Sequence, residues 1–201
     1  MARTLEFIFD FASPNAYLAW RALPPILART GAAVIITPCL LGGIFKATNN
    51  QAPFVAFGPV KGKMDYEMLE TRRFVKAHGL TAFAMNPHFP MNTLLVMRAF
   101  VAAQDLGVGE AFMEAVLRAM WEDGRKMDDP EVVAAVLAEA GLDAAAILAH
   151  AQTPPIKARL MENTQGAADR GVFGIPSFFV GEELFFGKER LAQVEAELAA
   201  A

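Results

Sequence analysis

The first residues of the chain alternate between apolar and polar side chains with a period of two. Within residues 5–11, a leucine and three phenylalanines alternate with Glu6, Ile8 and Asp10. Because successive side chains of a strand point to opposite faces, this pattern predicts a β-strand. The apolar Ile8 indicates that both faces of the strand are largely buried.

The residues that follow predict a helix and then a second strand. Ser13-Pro14 is typical of an N-cap residue followed by proline at the first helical position. The helical pattern is disturbed near Pro24-Pro25 and ends around Gly31. A β-rich run over residues 33–37 comes next, so the order strand, helix, strand predicts a βαβ unit with parallel strands.

The middle of the chain is helical in character, from about residue 61 to residue 164. Apolar residues recur there three and four positions apart. Asp128-Asp129-Pro130 is predicted to start one helix, which Gly141 ends, and Asp143 is predicted to cap the next.

A β-hairpin is predicted after this block, with strands at residues 177–180 and 184–186 joined by a turn. Gly187 ends the hairpin, and a last helix is expected from about residue 189 to residue 199. Without the helical block, this order of elements is that of thioredoxin.

The predicted fold class is therefore α/β, a thioredoxin-like domain with an all-helical insertion, in a single chain of 201 residues. We expect residues 1–44 and 165–201 to form the thioredoxin-like part and residues 60–164 to form the insertion. A chain with 54% hydrophobic and 20% charged residues can build the core that this fold needs.

Composition and charge argue against several kinds of partner and site. The net charge of −4 does not favour binding to a nucleic acid or to an anionic membrane surface. The longest apolar run has only seven residues, which is too short for a membrane-spanning helix. Because Glu6 and Asp10 interrupt the first apolar stretch, we expect no signal peptide and a cytoplasmic protein. The single cysteine, Cys39, forms no internal disulfide or C-x-x-C pair and is expected to be buried and inert. The three scattered histidines predict no metal site.

Ser13 is the first candidate for chemistry, because it lies where a buried strand ends and a helix begins. The unpaired N–H groups and positive dipole end of a helix favour an anion there. Thioredoxin-type enzymes carry their reactive cysteine at this position. A serine lacks that sulfur, but it can donate a hydrogen bond to a sulfur that a ligand brings. The alternative is that Ser13 only caps the helix.

The second candidate is Gly174-Ile175-Pro176-Ser177, just before a predicted strand. If the bond before Pro176 is cis, the backbone of Ile175 is free to pair with an extended peptide. The alternative is an ordinary proline at the start of a strand.

Four motifs, in order along nearly the whole chain, carry a resemblance to a known family. They are Phe9-Asp10-Phe11-Ala12-Ser13-Pro14, Leu41-Gly42-Gly43-Ile44-Phe45-Lys46-Ala47-Thr48-Asn49-Asn50, Asn86-Pro87-His88-Phe89-Pro90 and Gly171-Val172-Phe173-Gly174-Ile175-Pro176. Together they resemble 2-hydroxychromene-2-carboxylate isomerase. That family is close to kappa-class glutathione transferases and more distantly similar to the DsbA-like disulfide oxidoreductases.

This resemblance implies a glutathione site. Ser13 would hold the glutathione sulfur as a thiolate, Asn50 would bind the tripeptide, and Ile175, before the cis Pro176, would pair its backbone with the cysteinyl unit. The family's loop and helix start for the γ-glutamyl end would be Phe186-Gly187-Lys188-Glu189. Lys188-Glu189 departs there from the family's commoner pair, a polar residue followed by aspartate.

The resemblance also implies a substrate side, with Lys46 and Asn86 beside a small aromatic carboxylate. In that place Lys46 could pair with a carboxylate. From the residues alone, Lys46 is instead a solvated charge and Asn50 a turn residue. Methionines crowd the insertion, and they either pack its core or line a pocket for a flat aromatic substrate. They are Met64, Met68, Met85, Met91 and Met97.

The activity implied is glutathione-dependent interconversion of 2-hydroxychromene-2-carboxylate, or a related aromatic acid, and trans-o-hydroxybenzylidenepyruvate, in the degradation of aromatic compounds. Two alternatives stay open: a kappa-like glutathione transferase, and a catalytically silent thioredoxin-like binding module. No partner protein is predicted beyond a second copy of the chain, which the sequence leaves open.

Overall fold

A four-stranded mixed sheet forms the centre of the computed structural model, which describes residues 4–200. The strand order is β2-β1-β3-β4, in which β1 is parallel to β2 and antiparallel to β3, and β3 is antiparallel to β4. The strands are β1 (Thr4–Phe9), β2 (Ala33–Pro38), β3 (Ser177–Val180) and β4 (Glu183–Phe186). The predicted parallel βαβ unit and the predicted hairpin are both confirmed.

Eleven α-helices within residues 4–200 surround the sheet. They are α1 (Pro14–Ala22), α2 (Pro24–Thr30), α3 (Leu41–Thr48), α4 (Pro53–Ala56), α5 (Lys63–His78), α6 (Leu94–Asp105), α7 (Gly109–Trp121), α8 (Pro130–Glu139), α9 (Ala144–His150), α10 (Pro154–Asp169) and α11 (Leu191–Ala199). A single 3-10 turn, Lys188–Arg190, precedes α11. None of the helices in this part of the chain is long and apolar enough to cross a membrane.

The two central strands of the sheet, β1 and β3, are largely buried on both faces, as the pattern of β1 predicts. Phe7 lies between Ile36 of β2 and Phe178 of β3, and its ring stacks on that of Phe178 with 4.8 Å between centroids. Leu5, Phe7, Ile8 and Phe9 are all fully buried. Apolar burial of this extent is the main stabilising contribution to such a fold.

Two boundaries differ from the prediction. The first strand ends at Phe9 and not at residue 11, because Asp10 starts a tight turn in which its carboxylate accepts a hydrogen bond from the amide of Ala12. The predicted domain boundary at residue 165 lies inside α10, which continues to Asp169.

Helix α5 stands apart from the other long helices of the insertion. Of its 16 residues, none is fully buried, whereas α6 and α7 each bury seven. Its N-terminus follows Gly62 and its C-terminus ends at Gly79, both of which have positive φ angles that favour glycine.

Candidate active site

Ser13 connects the beginning of α1 to the segment that precedes β3. It has extended backbone angles and caps the helix, since its Oγ accepts a hydrogen bond from the Ala16 amide at 3.2 Å. The same hydroxyl donates to the carbonyl oxygen of Ile175 at 2.9 Å. Only 4% of Ser13 is exposed, so its hydroxyl lies in a largely water-free environment.

The Ile175–Pro176 peptide bond is cis, which confirms that prediction. The carbonyl of Ile175 is occupied by Ser13, but its amide N–H has no hydrogen-bond partner among residues 4–200. The N–H of Asn15, in the first turn of α1, is also unpaired within the described chain. Two backbone donors next to one serine hydroxyl therefore remain for a ligand.

The end of the hairpin returns to the same place. Gly187 donates its amide to the carbonyl of Pro176 at 2.9 Å, and Phe186 pairs with Ser177 in the sheet register. The ring of Phe186 packs on Phe173 with 4.6 Å between centroids and covers Gly174 so closely that a Cβ there would lie 2.7 Å from it.

Asn50 reaches this cluster from the other side. It follows Asn49, which ends α3 in the left-handed region with a φ of 54°. The side chain of Asn50 is exposed and donates from its Nδ2 to the carbonyl of Phe173 at 2.8 Å. Segments around residues 13, 50 and 187, far apart in sequence, therefore meet at the segment 173–177, which Ser13 connects to the N-terminus of α1.

Lys188 and Glu189 form an ion pair with each other at the start of the 3-10 turn. Lys188 is buried, with its ammonium nitrogen 5.5 Å from the centre of the Phe74 ring on α5, whereas half of the Glu189 side chain is exposed. The lysine thus ties this loop to α5, and the Glu189 carboxylate is the more accessible of the two groups.

The two residues expected on the substrate side lie in different surroundings. Lys46 is exposed on α3, one turn before Asn50, and makes no side-chain hydrogen bond or ion pair with residues 4–200. Asn86 is buried, and its Nδ2 donates to the carbonyls of Met120 and Arg125 at 2.7 and 2.8 Å. Since its Oδ1 accepts from the His88 amide, Asn86 holds its own loop against the end of α7.

Asp10 is a site residue that the sequence reasoning missed. Its carboxylate is 1% exposed and accepts hydrogen bonds from the Ala12 amide, the Thr93 hydroxyl and the Leu41 amide at 2.7 to 2.9 Å. Burial raises the pKa of this carboxyl above its ordinary value, although the three hydrogen bonds oppose the shift. Its position directly before the Ser13 loop is the local signal that could have pointed to it.

The tryptophan at the end of α7 supports the loop between β1 and Ser13. Trp121 is fully buried, and its indole N–H donates to the carbonyl of Phe11 at 3.0 Å. No local sequence pattern predicts this hydrogen bond, because its two partners are 110 residues apart.

Redox chemistry of the protein's own sulfur is disfavoured at Cys39. The thiol is buried beyond β2, and burial, helped by the charge of Asp10, raises its pKa to about 12. It is therefore protonated near neutral pH, as expected for an inert cysteine. No group of three or more histidine, cysteine, aspartate or glutamate side chains within residues 4–200 is placed to hold a metal ion.

The arrangement suits an extended ligand that carries a negative charge. A helix N-terminus, a serine hydroxyl and unpaired amides stabilise an anion, and the free edge of the Ile175 backbone can pair with a peptide. The Glu189 carboxylate and the Lys46 ammonium lie on the segments that border this place.

Known proteins share both the sequence pattern and the fold. A 2-hydroxychromene-2-carboxylate isomerase from Sphingobium xenophagum is 28% identical over 198 residues, 98% of this chain and 99% of that protein. Glutathione S-transferase kappa 1 from Homo sapiens is 25% identical over 209 residues, covering 95% of this chain and 88% of the human protein. A solved structure of 2-hydroxychromene-2-carboxylate isomerase superimposes with a TM-score of 0.82 and 26% identity, over 96% of this chain and 93% of that one.

These comparisons confirm the resemblance and the fold class that the sequence predicts. The family model described as a DSBA-like thioredoxin domain matches residues 4–199, almost the entire chain. With its thioredoxin-like sheet, its helical insertion and this match, the chain belongs to the family of DSBA-like thioredoxin domain proteins.

Proposed function

We propose that this protein is an isomerase that uses glutathione to interconvert 2-hydroxychromene-2-carboxylate, or a closely related aromatic acid, and trans-o-hydroxybenzylidenepyruvate. The proposal is supported by relatives of that name over nearly the full length of the chain. The observation that carries it is the Ser13 hydroxyl, 2.9 Å from the Ile175 carbonyl and next to unpaired amides.

The donor set at Ser13 fits the thiol of glutathione. Glutathione, when bound, supplies a thiolate nucleophile that adds to a conjugated carbon of the substrate and is returned unchanged. The chain's task is to hold that negative charge: the Ser13 hydroxyl turns from the Ile175 carbonyl towards the sulfur, and the N-terminus of α1 adds its positive dipole end. The helix terminus and the unpaired amides are already oriented, so the rotation of this one hydroxyl is the reorganisation that the bound charge requires.

The tripeptide around the sulfur finds complementary groups nearby. The Ile175 amide can pair with the cysteinyl unit, and Asn50 and Gly187 border the two directions in which an extended peptide continues. The Lys46 ammonium, exposed and without a described partner, is available to a carboxylate of the tripeptide or the substrate.

The direct test is an ultraviolet assay of chromene carboxylate interconversion, with and without glutathione. We expect conversion that depends on glutathione and leaves the glutathione concentration unchanged. Conversion at the same rate without glutathione, or none in its presence, would contradict the proposal.

The kappa-class relatives favour a second candidate function on the same site. A glutathione transferase would form a stable adduct between glutathione and an electrophile such as 1-chloro-2,4-dinitrobenzene. Adduct formation in the absence of isomerase activity would favour this candidate. If calorimetry detects no glutathione binding, the chain is instead a thioredoxin-like binding module.

A further inference from the structure

Asp10 is a buried acidic residue without a counter-ion. Its side chain is almost completely removed from solvent, and no lysine, arginine or histidine within residues 4–200 forms an ion pair with it. Burying a carboxylate in this way is costly unless hydrogen bonds compensate, and a position that served packing alone would be better filled by an apolar residue. The donors that surround Asp10 therefore indicate what it does.

These donors belong to three separate segments of the chain. The Oδ1 atom accepts from the Ala12 amide at 2.9 Å and from the Thr93 hydroxyl at 2.7 Å. The Oδ2 atom accepts from the Leu41 amide at 2.7 Å, and the backbone carbonyl of Asp10 accepts from the Ser13 amide at 3.2 Å. A backbone N–H can only donate, so the two amides need one acceptor oxygen each. A carboxylate satisfies both amides, whereas the side chain of asparagine, with a single oxygen, satisfies only one.

The bond to Leu41 holds the beginning of α3. The first N–H groups of a helix have no partner within it, and the N-cap residue of α3, Leu40, provides no side-chain acceptor. Two residues outside the helix supply acceptors instead: Asp10 for the Leu41 amide and the Thr164 hydroxyl for the Leu40 amide at 2.9 Å. The start of α3 is therefore fixed to the residue from which the Ser13 turn begins.

The other end of α3 carries Asn50. Its backbone amide donates to a carbonyl of α3 at 2.9 Å, and its side chain donates to the carbonyl of Phe173. The Ser13 hydroxyl donates to the carbonyl of Ile175, two residues further along the same segment. A closed path of hydrogen bonds thus runs from Asp10 through α3 and Asn50 to the segment before β3, and returns through Ser13 to Asp10.

We propose that Asp10 is a positioning residue, which sets the separation between Ser13 and Asn50 and so fits the site to an extended peptide. A peptide that contacts both residues binds tightly only if they are held at the distance that it spans, because a preformed site avoids the cost of ordering on binding. For the identity of that peptide, glutathione, this inference rests on the proposed function.

The first test is calorimetric titration of the purified chain with glutathione. Asp10→Asn should bind glutathione roughly tenfold more weakly than the wild type, because one side of the bridge loses its acceptor. Thr93→Val is the matched control: it removes a donor to the same carboxylate, but Thr93 leads into α6 and not to Ser13 or Asn50. Its glutathione affinity should equal that of the wild type. Unchanged affinity in Asp10→Asn, or an equal loss in Thr93→Val, would overturn the proposal.

A double-mutant cycle with Asn50→Ala distinguishes positioning from a general loss of stability. The separation of two contacts matters only while both contacts exist. Asp10→Asn should therefore weaken glutathione binding much less in the Asn50→Ala background than in the wild type. Losses that simply add would mean that Asp10 does not act through Asn50, and the proposal would be wrong.

Asp10→Ser provides a second variant and a measurement that needs no ligand. Its hydroxyl can still accept from the Ala12 amide two residues on, but it is too short to reach Leu41. Hydrogen exchange at the Leu41 and Asn50 amides, followed by NMR, should be faster than in the wild type. Slow exchange at both amides would contradict the proposal. So would a failure of both Asp10 variants to fold, because the carboxylate would then serve the fold itself.

These measurements separate this inference from the proposed function. If the wild type and Asp10→Asn bind glutathione equally well, the proposed function stands and the positioning role is wrong. If the wild type does not bind glutathione, the proposed function fails. Faster exchange at Leu41 and Asn50 in Asp10→Ser would then still support the role of Asp10 in holding α3.

Discussion

A single hydroxyl at Ser13 serves two purposes that substitution can separate. It caps α1 through the Ala16 amide, and it points its proton at the Ile175 carbonyl. The cap contributes about 1 kcal/mol to stability, as such caps usually do. The proton matters to function only if a charged sulfur replaces the carbonyl as its acceptor, and the two effects are therefore of different size.

Replacing Ser13 by alanine should lower turnover far more than it lowers stability. Loss of a preorganised donor to an anion costs on the order of 2–4 kcal/mol, or about thirty- to a thousandfold in rate. The pKa of bound glutathione, read from thiolate absorbance, should rise in the same variant, because the hydrogen bond favours the ionised sulfur.

Asp143→Ala is the matched control for the cap. Asp143 caps α9 through the Ala146 amide at 2.9 Å, on an exposed part of the insertion. This variant should lose a similar cap contribution of about 1 kcal/mol with turnover unchanged. Normal turnover and an unshifted thiolate titration in Ser13→Ala would mean that Ser13 is only a helix cap.

Asp10 gives the stability of the protein a pH dependence of defined sign. Because the pKa of its carboxyl is raised in the folded state by burial, the folded chain binds the proton more tightly than the unfolded chain. Stability therefore falls as pH rises above the ordinary aspartate value of about 3.9 and through the raised value. This contribution is fully present only below that window.

Replacing Asp10 by asparagine should remove the pH-dependent part of the stability that this carboxyl contributes. Urea denaturation between pH 4 and pH 8 measures the effect. The stability advantage of the wild type over the variant should shrink as pH rises, since only the wild type ionises at this position. Thr93→Val keeps the carboxylate but removes a donor that lowers its pKa, so the fall should extend to higher pH. A constant difference between wild type and Asp10→Asn would contradict the raised pKa.

At the scale of elements, the loop before β3 and the end of β4 are shaped by one close contact. Gly174 leaves room for the ring of Phe186. The next residue, Gly187, donates its amide to the carbonyl of Pro176. A side chain at position 174 would meet that ring at 2.7 Å. The position of the Gly187 loop therefore depends on the absence of a Cβ at Gly174.

Gly174→Ala should displace Phe186 and weaken glutathione binding several-fold, because the loop that borders the peptide moves with it. Isothermal calorimetry measures the effect. Gly166→Ala is the control: no atom of another part of the chain lies within 4 Å of its added Cβ, and within α10 alanine should stabilise the chain by up to roughly 0.5–1 kcal/mol. Unchanged glutathione affinity in Gly174→Ala would mean that the Phe186–Gly187 loop does not border the ligand.

The elements that the sequence predicts are those with local signals. Ser13-Pro14 begins α1, Asp129 and Asp143 cap α8 and α9, and Gly31 ends α2 in the left-handed region, all as the pattern indicates. The last helix is predicted from residue 189, but its first turn is a 3-10 turn and α11 starts at Leu191. The Lys188–Glu189 ion pair lies in this turn.

Contacts between distant segments could not be read from the sequence in the same way. The bonds of Asp10 to Leu41 and Thr93 join residues 31 and 83 positions apart. Asn86 is polar and lies in a loop, and both features suit a ligand-binding residue. In the structure it is instead buried and holds its loop against the end of α7 by hydrogen bonds. Which of two such roles a side chain takes depends on tertiary packing, which a local pattern does not contain.

At the scale of the whole molecule, the insertion and the thioredoxin-like part are joined by polar contacts as well as by the core. Arg21 of α1 bonds Glu114 in the middle of α7 at 2.6 Å and Glu122 directly after α7 at 2.9 Å, and Tyr17 donates to Glu122. With Trp121 under the Ser13 loop, α7 supports the first helix from one side. The candidate site is therefore assembled only when both parts of the chain are folded.

This dependence predicts that glutathione stabilises the protein. A ligand whose contacts come from residues near 13, 50, 175 and 187 binds the folded chain alone, and it stabilises that chain by RT ln(1 + [L]/Kd). At a hundredfold excess over Kd this is about 2.7 kcal/mol. For a chain of this size, each kcal/mol raises Tm by roughly 2–4 °C, so a rise of about 5–11 °C is expected in a thermal scan.

Ophthalmate, which has a methyl group in place of the thiol, separates the contribution of the peptide from that of the sulfur. In the wild type it should raise Tm less than glutathione does, because it brings no anion to the Ser13 hydroxyl and the α1 terminus. In Ser13→Ala, most of the difference between the two ligands should vanish, while the peptide contribution through Ile175 and Asn50 remains. If neither ligand changes Tm at saturating concentration, the peptide site is absent. If both ligands act equally on the wild type, the sulfur is not held at Ser13.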